Sequence, residues 1–198
     1  HAYLRPSIRI ASCRSGSFTP RKVAAPALAA LGGCDGGDGR TSDGRASDGY
    51  RGPMTTKDLD FFSASAQLGA CEELDVAAME LLYRLEISGD DFYSALADRI
   101  GNAEAGDLLR KNGREELGHA RRVQRAICLK LGTDYEPSAE LQTPFVIPLP
   151  DSIGLDLFPV IVKAELDGDA GYQHWAEKEA DPDIAALLRQ NGREETVH

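Results

Sequence analysis

Six residues at repeated spacings carry the chemistry this sequence can do. Glu116 and His119 form one Glu-x-x-His pair and Glu195 and His198 form a second. About thirty residues before each pair stands a further glutamate, Glu86 and Glu165. Three residues along a helix turn it by about 300°, so the Glu and His of each pair project from neighbouring turns onto one face and can converge on one ion. Carboxylates on apolar helix faces are costly unless they are paired or neutralised. Four of them brought together are hostile to a fold unless cations sit between them. One Glu-x-x-His is common on helix surfaces, whereas two, each with its partner glutamate, are a much more specific signal.

The spacing comes from an internal repeat. Shifting the chain by 79 residues aligns 85–119 with 164–198 without a gap, with 14 identities in 35 positions. Within it LLRKNGREE (108–116) faces LLRQNGREE (187–195), and Glu86, Gly89, Asp90, Tyr93 and His119 face Glu165, Gly168, Asp169, Tyr172 and His198. Two copies of this length describe a duplicated helical hairpin rather than a solenoid. A lone Glu plus a Glu-x-x-His from each hairpin is the ligand pattern of a di-iron or di-manganese carboxylate site. Oxygen-rich ligation with one imidazole per metal suits those ions better than sulfur-preferring ones.

The elements that must position these residues are legible as helices. Met79, Leu82, Glu86, Asp90 and Tyr93 share one face of a first helix, expected from about Leu68 to Ile100 and stopped by Gly101. Asn102 caps a second helix carrying Glu116 and His119, which Gly132 ends. Residues 133–151 hold four prolines and read as a long crossover running the length of the molecule. A third helix carries Glu165 and Tyr172 and begins at Asp151 or Asp156. Asp181-Pro182 opens a fourth.

Residues 1–53 differ from the rest, with nine glycines and a basic balance of 8 Lys+Arg against 4 Asp. They read as a disordered or non-native extension ahead of Met54. In a second reading, Arg21-Lys22, the apolar stretch 23–31 and Cys34 resemble a short lipoprotein signal. Residues 54–198 are expected to form one domain, cut within its fourth helix. That body carries 14 Lys+Arg against 28 Asp+Glu, a charge that repels nucleic acid and anionic membrane and favours cations. Four scattered cysteines without a CxxC pair exclude a zinc ribbon or rubredoxin-type centre within these residues and fit a reducing cytoplasm.

From Glu86, Glu116-Leu117-Gly118-His119, Glu165 and Glu195-Thr196-Val197-His198, the chain resembles the ferritin-like superfamily, and within it the rubrerythrin-like branch. The resemblance implies an all-α, antiparallel four-helix bundle of two hairpins joined by one long crossover. It implies two iron ions (or manganese), with Glu86 and Glu165 as terminal ligands, Glu116 and Glu195 as bridges, and His119 and His198 completing one metal each. Tyr93, seven residues after Glu86, resembles a tyrosine that rubrerythrins place near the cluster and is the candidate catalytic residue. Where rubrerythrins carry an extra glutamate one turn after the third-helix ligand, this chain has Gly168.

The implied function is Fe(II) oxidation by hydrogen peroxide or O2, fed by an unidentified electron donor, in a homodimer or larger homo-oligomer. An iron-storage subunit and a metal-free helical dimerisation module are the alternatives. Asp90 and Asp169, one turn from a ligand, are candidates to accept the free N–H of a ligand histidine. Arg114 and Arg193 are expected to pair with Glu115 and Glu194 at the surface.

Overall fold

The computed structural model describes residues 59–197, and there the chain is all-helical. Its elements are α1 (Phe61–Gly69), α2 (Val76–Arg99), α3 (Ala103–Leu131), α4 (Phe158–Lys178) and α5 (Pro182–Glu195), with a 3-10 turn at Leu155–Leu157 leading into α4. No strand occurs among the described residues. The expectations for residues 1–53 and for His198 fall outside them.

Each helix begins and ends where local chemistry stops the backbone pattern. Asp60, Asp75, Asn102 and Asp181 cap α1, α2, α3 and α5, accepting hydrogen bonds from first-turn N–H groups such as Ser63 N (2.7 Å), Ala78 N (2.8 Å) and Ala105 N (2.9 Å). Gly132 closes α3 in the left-handed region, at φ 66°, where a Cβ would be strained. The expected single helix from Leu68 to Ile100 is two helices. The chain breaks between Gly69 and Val76, and Asp75 restarts it as an N-cap. Apolar periodicity spans the break because both pieces bury residues in one core, Leu68 from α1 and Met79 and Leu82 from α2. The third helix starts at Phe158, later than either expected cap, with Pro159 in its first turn.

The repeat folds as two antiparallel hairpins, α2/α3 and α4/α5. In the first, Gly113 lies against Asp90 and Tyr93; in the second, its counterpart Gly192 lies against Asp169 and Tyr172. A Cβ on Gly192 would come within 2.9 Å of Tyr172 Cβ. The Asn-Gly-Arg-Glu-Glu motif therefore carries its glycine to let paired helices approach closely. Helices α3 and α5 then pack against each other, which brings Glu116 and His119 beside Glu195.

The crossover is strapped along α2. Tyr135 Oη donates to Glu80 (2.6 Å), Arg84 Nε donates to the Thr143 carbonyl (2.8 Å) and Phe145 N donates to Ser88 Oγ (2.9 Å). Arg84 also lies over the Phe145 ring at 3.9 Å, a cation–π contact that shields a buried guanidinium. No helix among the described residues is long and apolar enough to cross a membrane.

Candidate metal centre

Glu86 on α2, Glu116 and His119 on α3, and Glu195 on α5 meet in the interior. One ligand atom from each lies within 4.8 Å of all the others, and the four residues are at most 7% exposed. His119 is the hub. Its Nδ1 stands 3.1 Å from Glu195 Oε1 and 3.4 Å from both Glu86 Oε2 and Glu116 Oε2. An imidazole nitrogen ringed by three carboxylate oxygens is a nitrogen-and-oxygen donor set suited to a divalent first-row ion. This buried group could hold a metal ion.

Glu165 lines the same cavity as Glu86, Glu116 and Glu195 and is half-buried. Tyr93, 3% exposed, also lines it. The sixth expected ligand, His198, lies outside the described residues.

The electrostatics follow from burying acids together. Burial raises Glu116 to about 7, the Glu86 charge adding to the rise while His119 opposes it. Glu195 is pushed well above its ordinary range, by burial first and then by the Glu116 charge. Burial would also raise Glu86. It is outweighed by the hydrogen bond and charge of His119 and by hydrogen bonds from Glu116 and Tyr172, which leave Glu86 lowered. Burial works against a charged His119, but its bonds to Glu116, Glu195 and Glu86 prevail and its pKa is raised. The raised values of Glu116, Glu195 and His119 mean that bound protons offset part of the negative charge gathered here.

Several supporting residues were not assigned this role from the sequence. Tyr172 Oη donates to Glu86 Oε1 and accepts from Asn191 Nδ2 at 3.1 Å. Asn191 also reaches the His119 carbonyl (3.3 Å) and takes a hydrogen bond from Arg122 Nε. The carboxylate at His119 Nε2 is Glu194, at 3.4 Å. The expected surface pair of Glu194 with Arg193 gives way to a bond from Arg122 and a 2.9 Å bond from Gln190, because Glu194 faces α3. Likewise Glu115 pairs with Lys111 at 3.2 Å, and Asp169 takes a 2.7 Å bond from Gln173. The signal was present: Asn191, Glu194 and Tyr172 are all repeat identities, and a plain hairpin has no need of a buried Asn.

A carboxylate behind a ligand histidine fixes the ring and raises its basicity. Glu194→Gln is accordingly expected to weaken Mn(II) binding roughly ten- to a hundredfold. Calorimetric titration checks this, with far-UV circular dichroism expected to be unchanged.

The repeat is not symmetrical in its packing. A Cβ on Gly89 would sit 2.6 Å from Glu116 Cγ and 3.0 Å from Glu116 Cβ, whereas one on Gly168 would meet Glu195 Cγ at 3.6 Å. Gly89→Ala should therefore destabilise the fold by about 1–3 kcal/mol through overpacking. Gly168→Ala should be neutral or stabilise it by up to about 1 kcal/mol, since Ala favours the helix. Urea unfolding of both variants measures the contrast, and equal losses would contradict the geometry.

Comparison of the chain with protein-family models, with curated proteins and with solved structures finds no match in any of the three.

Proposed function

We propose that this chain is a di-metal carboxylate protein built on a four-helix bundle of two duplicated hairpins. Within that class we propose a ferritin-like, rubrerythrin-like di-iron protein that oxidises Fe(II) with hydrogen peroxide or O2. The observation that carries the reading is the buried meeting of Glu86, Glu116, His119 and Glu195 within 4.8 Å, drawn from both copies of the repeat. Glu165 on the shared cavity wall and the repeat position of His198 supply the rest of a two-metal ligand set.

Two ferrous ions held there would supply one electron each, so that one peroxide and two protons give two waters. The chain's own part is to bind, orient and keep water out. Glu116 and Glu195, one from each hairpin, would bridge the two ions. His119 is held by Glu194 behind it and by Asn191 on its carbonyl. Tyr172 Oη donates to Glu86 Oε1, leaving the Oε2 of that carboxylate to face His119. Apolar residues such as Leu82, Phe92 and Ile161 line the space beside the carboxylates.

The test is anaerobic loading with Fe(II) followed by hydrogen peroxide or air-saturated buffer, read by ferric absorbance. A catalytic centre saturates at two irons per chain and oxidises two Fe(II) per peroxide. Iron taken up far beyond two per chain supports the storage alternative, and none at all supports the metal-free module.

A further inference from the structure

The outer face of α3 reverses the charge of the rest of the body. Residues 54–198 hold 14 Lys+Arg against 28 Asp+Glu, yet seven of those 14 cations lie on α3. From Lys111 to Lys130 the exposed residues are Lys111, Arg114, Arg121 and Arg125, every one basic. Lys111 is taken by Glu115 at 3.2 Å, and Arg110 and Arg122 by Asp98 and Glu194. Arg114 and Arg121 have no acid within ion-pair distance among the described residues.

The geometry makes these cations one surface. Arg114, Arg121 and Arg125 stand seven and four residues apart, so on a helix they fall within about 40° of one line. That line runs about 16 Å along α3. Midway along it lie Leu117 and Gly118, both half-buried. A Cβ on Gly118 would meet only the Arg122 guanidinium, at 3.8 Å, so the middle of the stripe is open to a partner's surface. A low centre with a charged rim is the form of a docking face. Its small size suits electron-transfer complexes, which bury less than about 1,200 Å².

The stripe is also placed against the metal centre. Glu116 and His119 flank Leu117 and Gly118 in the sequence and are buried on the inner side of the same turn. Only α3 itself, about 10–12 Å across with its side chains, separates the stripe from those two candidate ligands.

We propose that this face of α3 docks an acidic electron-transfer protein, the donor that returns electrons to the centre. The purpose of the docking rests on the di-iron reading; the surface itself does not. Two reduced one-electron carriers give one electron each, which returns two Fe(III) to two Fe(II). The acidic remainder of the body repels such a carrier, so encounter is steered to α3.

A plant-type [2Fe–2S] ferredoxin, an acidic one-electron carrier, is the probe. Calorimetric titration into the full chain at about 0.01 M salt should give saturable binding. Affinity should fall at least about tenfold by about 0.15 M, as the screening length shrinks from about 30 Å to about 8 Å. Arg114→Glu with Arg121→Glu should weaken binding about tenfold or more, since each exposed ion pair is worth up to about fivefold. Lys163→Glu with Lys178→Glu, an equal change of charge on exposed positions of α4, should stay within about threefold. With the ferric centre loaded, two reduced ferredoxins should be oxidised per chain, more slowly by the same factor in the α3 variant. No binding up to about 1 mM, or equal weakening by both double variants, would overturn the proposal. So would a salt-dependent self-association of the chain that the α3 variant abolishes. Iron counted in the same samples separates the two readings. Two irons without ferredoxin binding removes the docking face and keeps the centre; binding to an iron-free chain that is lost in the α3 variant does the reverse.

Discussion

Glu116→Ala is expected to purify without bound metal while keeping its helices. In the reading proposed here Glu116 bridges, so its loss weakens both ion sites together. Truncating a terminal ligand such as Glu86 would strip mainly one. In the metal-free protein Glu116 is one of several acids crowded against His119, within 3.4 Å of the ring, and burial holds it protonated up to about 7. Its removal leaves a small cavity but takes away a buried group that resists ionisation, so the two effects oppose each other. The expected result is less than about 0.1 metal per chain against two for the wild type, with a stability change within about 2 kcal/mol. Metal analysis and urea unfolding on the same preparation test both halves. Two irons retained in Glu116→Ala would show that it does not bridge.

The second large effect is on stability against pH. Glu116 is raised from its ordinary 4.5 to about 7. Glu195 is also raised, and so is His119 above its ordinary 6.5. A raised group binds its proton more tightly in the folded chain. Its contribution is fully present below the unfolded value and is lost as pH rises through the folded one. For Glu116 that window is 4.5 to about 7, and for His119 it begins near 6.5. Glu86, lowered, works the other way, but its contribution is lost only as pH falls below 4.5.

Between pH 5.5 and 7.5 the metal-free protein should therefore lose stability. The Glu116 contribution alone falls by about 2 kcal/mol over that interval, which corresponds to roughly 4–8 °C in melting temperature. Metal needs deprotonated ligands and replaces the protons. At a hundredfold excess over its dissociation constant it returns about 3 kcal/mol. Mn(II) should thus raise the melting temperature more at pH 7.5 than at pH 5.5. A flat metal-free profile, or a larger metal effect at the lower pH, would contradict the proton-for-metal exchange.

How much of this was legible in the sequence depends on what each feature rests on. The hairpins, the caps at Asn102 and Asp181, the stop at Gly132 and the proline-rich, non-helical crossover are local backbone chemistry, and local chemistry is written in consecutive residues. The meeting of Glu86, Glu116, His119 and Glu195 was legible for another reason: the 79-residue repeat fixes which positions become equivalent, and an acid on an apolar face is conspicuous. The break at 70–75 was not legible, because α1 and α2 both feed one core and apolar spacing alone continues through it. The partner of Glu194 was not legible either. Arg122 lies 72 residues away and meets it only when α3 and α5 pack, a distance in space that no spacing encodes. The unequal room at Gly89 and Gly168 belongs to the same class, since identical letters in the repeat meet different neighbours. Trp175 is not one of the repeat's identities, since Leu96 faces it, and it carried no chemical expectation; only the fold put it in a cavity wall.

The most direct test of the account is the iron content of the full chain after anaerobic reconstitution with Fe(II) and removal of excess metal, with Glu86→Ala and His119→Ala prepared alongside. Two irons per wild-type chain are expected, about one in Glu86→Ala and one or fewer in His119→Ala. Wild-type protein that emerges free of iron, or two irons held equally by all three proteins, would contradict a metal centre at this buried group of carboxylates.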